Sequence, residues 1–382
     1  MNTTEILAQL IAFPTVSDQP NLDLIDFVSD YLAGHGVRAH LVPDATGKKK
    51  NLFATIGPNC AGGVVLSGHV DVVPAARPGW ASDPFKLRNK EGRLYGRGSC
   101  DMKGFVASIL AAVPAFCAAK FSRPVHIALS YDEEVGCLGV PSLIDAMAQK
   151  IATPSAVIVG EPTSMQLVAG HKESLSFFTK VHGYTGHSSR IDQGVSAVMT
   201  AARLITWLED RMLSNAGRAT LNTEFLPPYT TLHCGMVKGG IAANVIAQDC
   251  DFVTDIRALP DDGAETHKAD YLRFIRDNVE PKMHAIAPDA GVEVSHRSHV
   301  LGLSENTNTV AQKLINRLLP GVTSGVVSYG TEAGFFARQG WSTVVCGPGD
   351  IAQAHCANEY IEADQLRQCD QFMLALATEL TQ

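Results

Sequence analysis

Five acidic residues and two histidines stand at the ends of short apolar runs or in glycine-rich turns, where a charged side chain needs a purpose. His69 and Asp71 close the stretch Ser67-Gly68-His69-Val70-Asp71, and Asp101 follows Arg97-Gly98-Ser99-Cys100. Glu133 and Glu134 follow a run ending at Tyr131, Glu161 follows Gly160, and His355 lies far downstream. A single carboxylate in such a place is ordinarily a cap or an ion-pair partner. Five of them with two histidines supply the oxygen and nitrogen donors of a site for two divalent metals and a water to be activated.

The spacing suggests a division of labour. Adjacent Glu133 and Glu134 point apart in an extended or turn segment, so one can ligate while the other faces the water and takes its proton. His69 and Asp71, two residues apart, can face the same side. Asp71 then either accepts the second imidazole N–H and fixes the tautomer, or ligates directly, and the spacing leaves both open. Cys100 beside Asp101 and Cys356 beside His355 are read as small packed residues, because the acids already supply enough ligands. Asp350 and Glu359 are read as loop or helix-start polar groups. Lys103 either offsets the negative charge of the site or turns outward.

The elements that must position these residues alternate in type. Residues 22–32 carry apolar positions at helical spacing and stop at Gly34 and Gly36. Residues 64–66, 125–131 and 156–159 read as buried strands, and 105–116 as a helix. Each strand delivers its acid or histidine at its trailing edge, where open α/β sheets place their sites. Beyond Gly170 strand-like (175–181, 247–256) and helix-like (195–208, 270–279) segments form a unit near residues 171–284 that lacks a dense carboxylate cluster. Helical patterns at 309–319 and 364–380 and an apolar run at 342–346 follow. Because His355 must rejoin the first half, the expected organisation is a first domain in two parts, 1–170 and 285–382, interrupted by an inserted 171–284 domain with hinges near Gly170 and Ala285.

Composition narrows the class. The chain has 382 residues, 46% of them hydrophobic, with 31 Lys+Arg against 39 Asp+Glu for a net charge of -8. Such a balance offers no steering field for nucleic acid, and Lys48-Lys49-Lys50 is read as a solvated loop. The first ten residues lack the features of a secretory signal, and apolar stretches such as 108–113 are too short for a membrane span. Nine cysteines without a CxxC pattern suggest reduced thiols. The expectation is a cytoplasmic enzyme with a small-molecule substrate and neither a nucleic-acid nor a membrane partner.

Three segments carry a resemblance. Gly68-His69-Val70-Asp71-Val72-Val73-Pro74, Tyr95-Gly96-Arg97-Gly98-Ser99-Cys100-Asp101-Met102-Lys103-Gly104 and Asp132-Glu133-Glu134-Val135-Gly136 resemble the diagnostic segments of the M20 co-catalytic metallopeptidases and amidohydrolases. The likeness extends over essentially the whole chain and is strongest to members that deacetylate N2-acetyl-L-ornithine. It implies an α/β fold of two domains: a metallopeptidase-like catalytic domain with a mainly parallel central sheet, and an inserted α+β dimerisation or lid domain. It implies two divalent metals, zinc first, with cobalt or manganese compatible. Asp101 would bridge them, His69 and Glu161 would complete one, and Glu134 and His355 the other. Glu133 would be the general base, and the Asp101-Met102 peptide would be cis.

The resemblance extends to substrate residues. Gly183-Tyr184-Thr185-Gly186-His187-Ser188-Ser189 is similar to a loop whose histidine reaches the partner subunit's site in a homodimer and donates to the developing oxyanion. Asn244 resembles a substrate contact. Arg257 resembles a clamp for the substrate α-carboxylate, with an ion pair to Asp255 or Asp261 as the alternative. Glu332 could read a cationic side chain such as the ornithine δ-ammonium, or could serve as a helix N-terminal carboxylate. The expected reaction is hydrolysis of the acetyl amide of N2-acetyl-L-ornithine. The alternatives are N-succinyl-diaminopimelate, another N-acyl amino acid or a dipeptide.

Overall fold

The uninterrupted apolar runs form strands that are buried along their whole length: Val64–His69, Val125–Ser130 and Ala156–Val159. Strands buried on both faces belong in a parallel sheet covered by helices. In the computed structural model, which describes residues 1–75, 79–218, 221–305 and 308–382, they form the middle of an eight-stranded sheet. Val125–Ser130, Val64–His69, Ala156–Val159 and Thr343–Val345 run parallel in that order. Toward the edges the pairing turns antiparallel, through Lys50–Ile56 and Ala39–Pro43 on one side and Leu167–His171 on the other. The sheet is therefore mixed, with its parallel character concentrated at the centre.

After Val64–His69 the chain leads to one side of the sheet, and after Ala156–Val159 to the other. That reversal makes a crevice between neighbouring strand ends, and His69 and Glu161 stand on either side of it. His69 is the last residue of its strand rather than the first beyond it. The helix Lys103–Ala118 is buried around most of its circumference. It packs against Thr3–Ala12, Ala363–Glu379 and the Val64–His69 strand. Its Phe105, Ile109 and Leu110 join Leu66, Ile127 and Phe372 in one core. Each such side chain contributes about 1.5–3 kcal/mol by leaving water, so the strand ends are rigid supports. Gly160 is part of that packing, since a Cβ there would lie 2.0 Å from the Phe105 ring.

The chain divides into two compact units. One comprises Met1–Gly170, Leu303–Val326 and Thr331–Gln382, and the other His171–Gly302 with Val327–Gly330. The second unit is built on a four-stranded antiparallel sheet, ordered Thr231–Gly239, Asp249–Ala258, Glu173–His182, Gly291–Val300. Alternate residues Cys250, Phe252 and Ile256 face a core shared with Leu204, Leu208 and Tyr271 of the helices Ala197–Ala216 and Ala264–Phe274. The expected end of this unit at residue 284, with a hinge near Ala285, is corrected. Gly291–Val300 pairs with Glu173–His182, so the chain returns to the first unit only at Leu303. That strand holds five polar or charged side chains in a row, Ser295 to His299, and is half-exposed, and so lacks the apolar run that announces a strand.

No described helix is long and apolar enough to cross a membrane. All nine cysteines are free.

Candidate metal centre

Asp101 lies between the two histidines. Its Oδ1 is 3.1 Å from His69 Nε2 and its Oδ2 is 3.2 Å from His355 Nε2. Glu161 Oε1 stands 3.7 Å from His69 Nε2, and Glu134 Oε2 stands 2.9 Å from His355 Nε2. One carboxylate thus joins two half-sites, His69 with Glu161 and His355 with Glu134. Donor atoms of His69, Asp101 and Glu134 lie within 4.8 Å of one another, as do those of His69, Glu133 and Glu161. The two adjacent glutamates separate as their spacing suggests, Glu134 toward His355 and Glu133 toward the His69 side.

The electrostatics show what such a cluster favours. The side chains of Asp101, Glu134 and Glu161 are only 6% exposed, and that of His69 is 1% exposed. Burial drives Glu133 and Glu161 well above the ordinary carboxyl range, and neighbouring acids push them further. Burial and the charge of Asp101 also raise Glu134. Hydrogen bonds to Asp101 and Glu134 lift His355 to about 10. Burial would lower His69, yet Asp101, Asp71 and Glu161 outweigh it and hold it well above its usual value. Burial would likewise raise Asp101, but its bonds to His355 and His69 prevail and lower it. Buried acids this close together favour positive charge beside them, a task that divalent cations on the same atoms would perform. Imidazole nitrogen with carboxylate oxygen in each half suits zinc, cobalt or manganese.

Asp71 lies on the other side of the His69 ring. His69 Nδ1 is 3.0 Å from the Asp71 carbonyl and 3.5 Å from its Oδ1. Of the two roles open to Asp71, this geometry fits the one that fixes the tautomer. Asp71 also accepts from Ser17 Oγ at 2.8 Å and from the main-chain N–H groups of Glu133 and Glu134 at 3.1 and 3.3 Å. It therefore aims one histidine and both glutamates. The turn before those glutamates passes through Asp132 at a φ of 57°, and Lys49 holds it there by bonding Asp132 and the Ser17 carbonyl. The solvated loop expected for the three lysines applies to Lys48 alone. Lys49 and Lys50 are half-buried, and Lys50 pairs with Asp26.

Other candidates fall into place with corrections. The Asp101-Met102 peptide is cis. Lys103 is fully buried, and its ammonium donates to the carbonyls of Leu10 and Phe13, tying down the end of the first helix. Burial lowers it to about 7, against the pull of Glu359 and Asp71. The thiols of Cys100 and Cys356 donate to the carbonyls of Asp350 and Gln353. Asp350 caps a short 3-10 turn through Ala352 N. Glu359 does stand in a loop, just before the strand Tyr360–Glu362, but it is buried and ion-paired to Arg97 rather than a surface polar group. Glu332 precedes the helix Ala333–Arg338 but makes no capping bond, and neither of its oxygens has a hydrogen-bond partner of good geometry. Burial raises it to about 7, with the nearby Ser130 hydroxyl and His69 opposing that rise.

The remaining three candidates belong to the second unit. His187 is exposed and its Nδ1 meets Ser189 Oγ at 2.8 Å. Ser188 N donates to the Asn244 carbonyl at 3.1 Å, and His187 bridges to Val245, so His187 and Asn244 adjoin. Arg257 Nε donates to Asp255 Oδ2 at 2.9 Å, the ion pair weighed against the substrate clamp. The sequence reading missed Ser17 and Lys49, whose partners are distant in the chain and leave no mark in local spacing.

Residues 65–379 match the profile of peptidase family M20/M25/M40. An acetylornithine deacetylase of Proteus mirabilis (strain HI4320) is 36% identical over 369 residues, covering 94% of this chain and 91% of that protein. Another from Myxococcus xanthus is 35% identical over 372 residues, covering 95% and 93%. Among solved structures, a family M20 metallo-carboxypeptidase from Sulfolobus solfataricus has a TM-score of 0.75 at 16% identity, over 100% of this chain and 99% of that one. A dinuclear metal-binding peptidase from Bacillus subtilis has a TM-score of 0.67 at 15% identity, over 99% and 97%. At these identities the structures establish a shared fold.

Proposed function

This chain belongs to peptidase family M20/M25/M40 and is a hydrolase, and from that premise we propose that it cleaves N2-acetyl-L-ornithine to L-ornithine and acetate. The observation that carries the reading is Asp101 standing between His69 and His355 with Glu133 beside them. His69, Asp101 and Glu161 would hold one divalent ion, and His355, Asp101 and Glu134 a second. Zinc is the first choice. When bound, such ions make water acidic near neutral pH and polarise an acyl carbonyl. Glu133 takes the proton of the attacking water and returns it to the departing amine. Glu133 lies beside His69 and Glu161 rather than pointing to His355 with Glu134, which leaves its carboxylate free to accept and return a proton. Asp71 keeps His69 in the tautomer whose Nε2 faces Asp101.

The buried, unpartnered Glu332 supports a cationic side chain on the substrate. An ammonium would return it to its charged form, whereas a second substrate carboxylate would be repelled. The motifs around His187, Asn244 and Arg257 support assigning them to the oxyanion, the substrate and its α-carboxylate, with His187 acting in the second subunit of a homodimer. The reading places the enzyme in the cytoplasm and in arginine biosynthesis. Amine release from N2-acetyl-L-ornithine, measured on zinc-loaded protein beside N-succinyl-LL-diaminopimelate at equal concentration, tests it. A strong preference for the acetyl substrate is expected. A preference for the succinyl compound would keep the hydrolytic site and overturn the substrate.

A further inference from the structure

Glu359 lies four residues beyond His355, is 1% exposed, and has both carboxylate oxygens engaged. Oε2 accepts from Arg97 Nη1 at 2.7 Å and from Gly98 N at 3.0 Å. Oε1 accepts from Cys100 N at 2.9 Å and from Asp101 N at 3.1 Å. Three of the four donors are main-chain groups of one turn, and the last belongs to the residue whose carboxylate joins the two half-sites. A surface ion pair would not be arranged in this way. We propose that Glu359 is a positioning residue that locks the 97–101 turn, and with it the Asp101 carboxylate, to the segment that presents His355.

The surrounding main chain supports the same coupling. The Glu359 carbonyl accepts from Gly96 N at 3.0 Å, and the next residues, Tyr360–Glu362, pair with Arg93–Tyr95. The turn therefore rests on this segment from both its main chain and its side chain. Within the turn Gly98 has a φ of 80°, and a Cβ there would come within 2.7 Å of Val72 Cγ1, so the turn has little room to adjust. On the His355 side, Asn358 donates to the Gly79 carbonyl and accepts from Ala81 N. Asp101 must meet His69 and His355 with different oxygens at 3.1 and 3.2 Å, so a small rotation of the turn would spoil at least one half-site. Charge-assisted bonds from several N–H groups to one carboxylate are short and directional, which is what such positioning requires.

The inference rests on the two-ion reading above, and a metal titration separates their failures. Metal-free parent, Glu359→Gln and Arg97→Gln proteins are titrated with Co2+, following binding calorimetrically and by the visible absorption of the bound ion. Arg97→Gln breaks the same ion pair but leaves Glu359 on its three main-chain donors. Glu359→Gln is expected to weaken at least one of the two binding steps tenfold or more and to alter the cobalt spectrum. Arg97→Gln is expected to lower Tm while changing binding less than threefold. Parent-like constants and spectrum for Glu359→Gln would overturn the proposal. So would equal weakening in both variants, which is the mark of a purely structural ion pair. If Glu359→Gln does not fold, Glu359→Asp takes its place with the same expectation, since the shorter acid keeps its charge but cannot span both ends of the turn. A parent protein that binds fewer than two ions would overturn the two-ion reading itself.

Discussion

The two places where the chain presents candidate catalytic groups differ in how firmly they are held. In the first unit, Asp71 alone touches His69, Ser17 and the main chain of Glu133 and Glu134, and Glu359 binds four donors around Asp101. In the second unit, His187 is exposed at the start of a 3-10 turn, and among the described residues its ring hydrogen-bonds only with Ser189. A centre that must hold several like charges close together needs buried supports to define it. A group that meets a substrate transiently can stand on a loop. Substitutions of the ligating groups and their supports in the first region should therefore register in metal binding or stability, whereas those at Glu133, which takes the proton, and in the second region should register in turnover alone.

The largest effect is expected at Glu133. Replacing it with alanine should lower kcat by about 10²–10⁴-fold, the usual contribution of a positioned acid–base group, while metal content by atomic emission stays at the parent value. Turnover near the parent rate would remove Glu133 from its role. His187→Ala should cost about 10²–10³ in kcat with no change in Tm, because the side chain is exposed and oxyanion donors act only in turnover. Mixing His187→Ala chains with Glu133→Ala chains should restore activity if subunits share sites. No recovery after verified exchange would place His187 outside a shared site.

Asp71→Asn should weaken metal binding about 10–100-fold, the usual cost of losing a carboxylate that orients a ligating histidine. Unchanged affinity would show that the His69 ring is held by the main-chain carbonyl alone. The smallest effect concerns stability. Burial lifts Glu332 from its ordinary 4.5 to about 7. A raised carboxyl supports the folded state fully below pH 4.5, and that support is lost as pH rises through 7. The Glu332→Gln protein should therefore gain on the metal-free parent across this window, by on the order of 1–3 kcal/mol at its upper end. Urea unfolding at several pH values reads the difference, and a gap that stays constant with pH would contradict the assignment.

The sequence exposes one region better than the other for a physical reason. His69 ends, and Glu133, Glu134 and Glu161 follow, strands whose burial on both faces makes them near-continuous apolar runs, visible without a structure. The strand Gly291–Val300 carries Glu293, Ser295, His296, Arg297, Ser298 and His299 on a half-exposed sheet edge, so nothing in its sequence marks it as part of the second unit, and the expected boundary at residue 284 comes too early. Ser17, Lys49 and Glu359 act through bonds to residues remote in the chain. Hydrogen-bond partners brought together only by folding leave no periodicity, and residue type alone could not separate Glu359 from a loop acid. Glu332 was legible as a candidate, but its burial without a partner was not.

The most direct test of the account is an anomalous diffraction map from zinc-soaked crystals, collected at the zinc edge. The account predicts two peaks flanking Asp101, one within reach of His69 and Glu161 and the other within reach of His355 and Glu134. A single peak, or two peaks that do not share Asp101, would contradict it.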